Sequence, residues 1–236
     1  MHITPRLLSI PVYVVAALYF ASSAFGQETL PNIEQLYLES GPSLSTLGSQ
    51  IHSRDRVQQF LALSTLESQI ESGLVDTEDP AVVDVLSPAV DQGVFVVSTY
   101  SDRPIERYDP MVRTQAVRIL GEVGTAAARE KLQQSVLHDP EPIVRAQALL
   151  SLGRIAHDPD GNATQIIARR LAREHYTPDQ FDPGVIDAAL RALRAIVGTP
   201  DNVIDPAIRE MLIEIAGDGR YSQDFRTRAL EVLGMM

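Results

Sequence analysis

Residues 139–153 read DPEPIVRAQALLSLG, and three further stretches echo that wording. They are DPMVRTQAVRILG at 109–121, DPGVIDAALRAL at 182–193 and DFRTRALEVLG at 224–234. Aligned on their central alanines, Ala116, Ala148, Ala189 and Ala229, the copies recur after 32, 41 and 40 residues. Such periods mark a helical repeat array. Val112, Val144, Val185 and Phe225 precede the alanine. Val117, Leu149, Leu190 and Leu230 follow it, then Leu120, Leu152, Leu193 and Leu233. Spacings of 4, 5 and 8 gather on one broad helical face and fit no strand. A helix that touches its own partner and a neighbouring repeat needs a face that wide.

The helix starts are coherent with this. Asp109, Glu141 and Asp182 stand where an N-cap belongs, followed by Pro110, Pro142 and Pro183 at the first helical position. A carboxylate there accepts orphan N–H groups, and proline loses nothing where its missing N–H had no partner. The alanine lets two backbones approach closely. Gly121, Gly153 and Gly234 near the far ends permit close packing or a helix stop. Second helices lie between the copies. Residues 125–139 carry Leu132 and Val136 on one face, 162–176 carry Ile167 and Leu171, and 205–217 carry Ile208, Met211, Leu212 and Ile215. The expected fold is all-α, a stack of antiparallel helix pairs.

The stretches 109–124 and 139–155 resemble the short bacterial type of HEAT repeat, with the pattern D-P-x-V-R-x-x-A-x-x-x-L-G shared with phycobilin lyase subunits. The third copy departs from it, with Ile186 in place of the arginine and Arg194 in place of the glycine, and the fourth lacks the proline. The resemblance covers about residues 105–236 and implies an α–α superhelix, a HEAT-like solenoid whose curved surface meets a protein partner. It also implies that the recurrent Arg113, Arg145 and Arg226 are structural ladder residues bonded along the stack.

Residues 27–104 are expected to hold degenerate helical repeats that cap the array. Within them NIEQLYLES, RVQQFLALSTLESQIESG and DPAVVDVLSPAVDQG are helix-like, and Asp79-Pro80 repeats the capped start. Pro88 and Gly93 are expected to break the pattern. VFVVSTY at 94–100 extends a buried helix or forms a short strand, and 101–109 is a loop.

Residues 1–26 have the layout of a secretory signal peptide: Arg6, an apolar run from Leu7 to Phe20, then Ala24 and Gly26 placing the cut between Gly26 and Gln27. The mature chain is therefore expected to be periplasmic or secreted, with no stable membrane insertion. There is no cysteine, hence no disulfide, no thiol nucleophile and no lipid attachment at the cleavage point. The formal net charge is −11; residues 1–26 hold one arginine and no acid, so the remainder carries −12. Such a field repels nucleic acid.

Two triplets, His138-Asp139-Pro140 and His157-Asp158-Pro159, invite a metal reading. Histidine in a last turn followed by a new Asp-Pro start is the better account. HEAT-like hydroxylases bind iron through His-Glu dipeptides, and this chain has none. Asp158, Asp160 and Asn162 alternate like the start of a calcium loop, but Ala163 and Arg169 stand where glycine and glutamate belong. Asn162 is expected to cap the next helix instead. No phosphate loop, nucleophile elbow or metal set is assigned, and no cofactor. The protein-binding positions expected on second helices are Gln133, Gln134, Arg169, Arg173, Arg209 and Glu210, with Arg170 flanking a cation cluster. The expected function is a non-enzymatic, exported scaffold or adaptor binding an unidentified protein. The alternative is a metal-dependent or cofactor-handling enzyme subunit of the HEAT-like hydroxylase or lyase type. Oligomeric state is left open.

Overall fold

Seven of the ten described helices begin after a Ser, Thr or Asp whose side chain accepts a first-turn N–H. The computed structural model describes residues 41–92, 109–177 and 181–236. In chain order the helices are α1 (Leu44–Ile51), α2 (Arg56–Glu71), α3 (Pro80–Asp91), α4 (Pro110–Val123) and α5 (Ala126–His138). Then follow α6 (Pro142–Ile155), α7 (Asn162–Tyr176), α8 (Pro183–Val197), α9 (Ala207–Gly217) and α10 (Gln223–Leu233). No strand occurs among the described residues. All ten helices lie in one compact unit, Pro42–Met236. The signal-peptide reading with Gly26 and Gln27, the helix-like stretch at 32–40, the 94–100 segment and most of the 101–109 loop fall outside the described residues.

The helices form two layers by alternation. In layer one α1, α3, α5, α7 and α9 pack in succession; in layer two α2, α4, α6, α8 and α10 do the same. Of the helices that open on an acid and proline, α4, α6 and α8 pack more extensively on the helix before them than on the one after, whereas α3 packs on the α4 that follows it. α10 likewise packs on the α9 before it. Between the layers runs one apolar seam that includes Leu63, Leu86, Ala116, Leu132, Ala148, Ile167, Ala189, Leu212 and Ala229. The four repeat alanines are all fully buried.

The capping carboxylates behave as expected at Asp79, Asp109 and Asp182, whose side chains accept first-turn N–H groups at 2.8–3.1 Å. Glu141 differs: it occupies the cap position, but its side chain makes no cap bond. Asp139, two residues earlier, accepts the Glu141 N–H at 2.9 Å instead. Pro88 does not end its helix, since α3 continues to Asp91. The carbonyl that loses its N–H partner belongs to the exposed Asp84, where water can replace it, and Ser87 donates to the neighbouring Val83 carbonyl at 2.8 Å.

The repeat glycines serve close packing more than helix ending. A Cβ added at Gly121 would lie 2.6 Å from Ser151 Cβ, and one at Gly153 would lie 2.7 Å from Ala192 Cα. These glycines therefore let α4 meet α6 and α6 meet α8 backbone to backbone. The stop of α4 is Gly124, at φ 70°. In α8 the equivalent position is Arg194, and α8 and α10 pack less extensively than α4 with α6 or α6 with α8. Gly153→Ala should cost about 1–3 kcal/mol, because the clash is with backbone that cannot rotate away. Urea unfolding followed by circular dichroism checks it. Gly234→Ala, in a roomier C-cap with φ −69°, should change stability far less.

Candidate protein-binding surface

Leu132, Ile167 and Ile208 are equivalent buried positions of α5, α7 and α9. Gln134, Arg169 and Glu210 therefore form one exposed column of layer one, and His138, Arg173 and Glu214 form the next. Of the expected contact residues, Gln134, Arg169, Arg173, Arg209 and Glu210 are exposed. Gln133 is only half-buried rather than exposed; in its column Ala168 is 3% exposed and Arg209 is exposed. The sequence reading missed two neighbours. Tyr176 and Ile213, 63% and 57% exposed, add apolar surface on α7 and α9. The signal was present for Ile213, which breaks an otherwise polar face of α9.

The arginines divide by layer. On layer two Arg118 pairs with Glu67, Arg154 with Glu122 at 2.7 Å, Arg191 with Asp187 at 2.7 Å and Arg194 with Glu231 at 3.7 Å. Arg228 pairs with both Asp187 and Asp224. The exposed arginines of layer one have no acid. Arg129 donates to the His157 carbonyl at 2.8 Å and Arg173 to the Leu137 carbonyl at 3.3 Å. Arg169 and Arg209 have no partner among the described residues. Arg226 of α10, half-buried, is the exception on the other layer: its Nε lacks a hydrogen-bond partner among the described residues. A chain with excess acid has thus paired most surface arginines of layer two, while on layer one Lys131 pairs with Asp91 at 2.9 Å and Arg169, Arg173 and Arg209 make no ion pair among the described residues.

Arg170 is not part of that cluster. It is 3% exposed, and its Nε donates to Glu174 Oε1 at 2.9 Å. Glu174, itself 1% exposed, also lies 4.0 Å from Arg145 and accepts the Asp182 N–H at 2.7 Å. The ladder role implied for the recurrent arginines holds at Arg113, whose guanidinium meets Asp139 through two bonds of 2.8 and 3.1 Å. At Arg145 the next layer-one helix supplies the acid, and two carbonyls, of Asp139 and Pro140, accept its Nη1 at 3.0 and 2.8 Å. Burial, then the like charge of Arg170, lowers the pKa of Arg145.

The connection at 156–161 caps α7 differently from expectation. Asp158, 1% exposed, reaches forward and accepts the N–H groups of Ala163 and Thr164, both at 2.9 Å. Asn162 is the first helical residue, not the cap. Both Asp158 oxygens are engaged by the helix, as a cap requires and a calcium loop does not. Asn202 braces this connection to the next one, accepting the Asp158 N–H at 2.8 Å and donating to the carbonyls of Ala156 and Ile196 at 2.7 and 2.8 Å. His138 and His157 are both exposed, and neither joins a group of three possible metal ligands among the described residues. His175, buried at the end of α7, meets Tyr221 Oη at 2.9 Å. Burial pushes the Tyr221 phenol up to about 12, so it stays neutral near pH 7. An open groove of about 330 Å³ lies between α8 and α10, with Arg194, Arg228 and Glu231 on its walls.

The HEAT-repeat family model matches residues 105–180, which span α4 to α7. Among solved structures, the complex of CpcE and CpcF of phycocyanin lyase from Nostoc sp. PCC7120 is similar. Sequence identity is 19%, the TM-score is 0.54, and the match covers 90% of this chain and 68% of that chain. A comparison with curated proteins finds no match. Residues 105–180 thus match HEAT repeats, and the described residues have an all-α, solenoid-like fold similar to that structure. No helix among the described residues is long and apolar enough to cross a membrane.

Proposed function

We propose that this chain is an exported, non-enzymatic scaffold or adaptor that binds an acidic protein through layer one. The observation that carries the reading is the set of exposed arginines on α7 and α9, Arg169, Arg173 and Arg209, none of which makes an ion pair among the described residues, with Tyr176 and Ile213 beside them. Guanidinium groups without an internal ion pair need break none to meet a partner's carboxylates, and arginine with aromatic surface is the composition of interface hot spots. Export follows from the signal-like residues 1–26, and sequencing the amino terminus of the mature chain tests it: Gln27 should come first.

The partner test is crosslinking in intact cells with wild type and with Arg169→Glu/Arg173→Glu. Both residues are exposed, so the variant should keep its helical signal and melting profile. Recovery of the wild-type partner should fall about tenfold or more, since each reversal replaces an attraction with a repulsion. Equal recovery by both forms sinks the proposal. One finding favours a second reading: the similar structure is of lyase subunits, which raises a cofactor-handling or metal-dependent enzyme subunit. Stoichiometric metal in the purified chain, lost on changing His138 or His157, would select it.

A further inference from the structure

Layer-two helices present three equivalent positions to the repeat that follows them. In α4 these are Arg113, Val117 and Gly121, and in α6 they are Arg145, Leu149 and Gly153. The glycines admit the next layer-two backbone, at Ser151 and Ala192. The apolar residues are fully buried. Each arginine takes an acid from the end of the layer-one helix that comes next: Asp139 just after α5, and Glu174 in the last turn of α7. In α8 the set is Ile186, Leu190 and Arg194. In α10 it returns in full as Arg226, Leu230 and Gly234. Yet these three positions are not covered as the others are. Leu230 is 58% exposed where Val117, Leu149 and Leu190 are at most 1% exposed. Gly234 is exposed, and a Cβ added there would lie 3.5 Å from carbonyls of its own last turn. Arg226 makes no ion pair among the described residues, and its buried Nε has no hydrogen-bond partner. On α9 Ile213 is exposed where its counterparts Leu137 and Ala172 are half-buried. The outer face of a terminal repeat is ordinarily polar; this one carries the residues of an internal joint.

We propose that the α9–α10 face docks a helix pair of a different protein, which continues the stack. The joints within this chain define the occupant. Its first helix ends on an acid that pairs with Arg226, as Asp139 and Glu174 serve Arg113 and Arg145. Its second helix brings a small residue against Gly234, as Ser151 and Ala192 meet Gly121 and Gly153. Its apolar stripe covers Leu230 and Ile213. A purely apolar cover would seal the Arg226 Nε away from water without an acceptor, whereas a carboxylate satisfies it. Charge argues against a second copy of this chain. Two copies related by a two-fold axis through this face would bring Arg226 toward Arg226. A copy added head to tail would offer α1, the first layer-one helix described, which contains no acid. The face uses none of the arginines Arg169, Arg173 and Arg209, so it and the layer-one surface fail separately.

The test places a photoreactive apolar amino acid at position 230 of the full chain, crosslinks in intact cells and maps the linked peptide by mass spectrometry. The expected product joins position 230 to a helix pair of another protein with an acid at the end of one helix. Arg226→Glu should lower the yield about tenfold or more, and an acid-to-arginine change in the captured protein should restore it. Gly234→Ala touches only its own last turn in the free chain, so it should keep the melting profile. It should still lower the yield about tenfold, because its methyl group meets the approaching backbone. Should Arg226→Glu fail to fold, Gly234→Ala decides. No product, a product linking position 230 only to this same chain, a captured segment without an acid, or a yield unchanged in Gly234→Ala would each overturn the proposal.

Discussion

Glu174→Ala should destabilise the chain by about 3–5 kcal/mol, the cost of stripping one partner from a buried ionic network. The residue holds Arg170 through Nε at 2.9 Å and the Asp182 N–H at 2.7 Å, and it is the acid facing Arg145 at 4.0 Å. Alanine would leave two guanidinium groups, 3% and 7% exposed, facing each other with only the weaker pull of Asp182 and Asp139 on Arg145. Arg145 already sits at a lowered pKa from burial and from Arg170, so the pair has no slack for that loss. Glu174→Gln keeps an acceptor for the Asp182 N–H and should fall between wild type and alanine. Arg170→Leu/Glu174→Leu removes both ends of the closest pair and should recover much of the loss, because apolar packing often matches a buried ion pair. Urea midpoints for the four proteins check the order. A Glu174→Ala chain as stable as wild type would mean that the network contributes nothing.

Arg113→Ala should cost a similar amount, about 3–5 kcal/mol, by stranding the fully buried Asp139 carboxylate. The clean measurement is a double-mutant cycle with Asp139→Asn. Coupling of about 1–3 kcal/mol is expected for residues in direct contact, with the double variant losing less than the two singles combined. Asp139 also accepts the Glu141 N–H that starts α6, so its substitution carries a capping loss that Arg113→Ala lacks. The chain offers its own control. At the equivalent position of α8 stands Ile186, fully buried and needing no acid. The site thus tolerates an apolar side chain, and a wholly apolar replacement at 113 and 139 should be milder than either single truncation.

What could be read from the letters and what could not divides along physical lines. The Asp-Pro starts, the alanine register and the second helices follow from local chemistry and the helical period, and α4, α6, α7 and α8 lie where the repeats place them. The burial of Arg170 was legible in principle: it stands four residues before Glu174 on the flank of the Ile167–Leu171 stripe, an opposite-charge pair turned inward. The role of Asp158 was not, because its carboxylate skips over Asn162, the nearer candidate, and only the path of the turn shows why. Gly121 and Gly153 were read as either spacers or stops, and the choice depends on what the next helix brings, Ser151 and Ala192. The exposed face of Gln134, Arg169, Arg173, Arg209 and Glu210 follows from helix periodicity, but that its arginines make no ion pair among the described residues is a property of the assembled layers.

The arginine at position 194 has a mechanical consequence. Where glycine lets two helices rest backbone on backbone, sliding one past the other meets hard atoms at once. Where Arg194 replaces the glycine, its side chain turns out to solvent, 68% exposed, and an open groove separates the helices instead of backbone contact. Compliance in this chain is therefore uneven: stiff through α4, α6 and α8, and softer at the last step to α10. A partner that grips α9 would pull on the yielding end of the stack, and the shape change it causes would be spent there instead of spreading along the whole array.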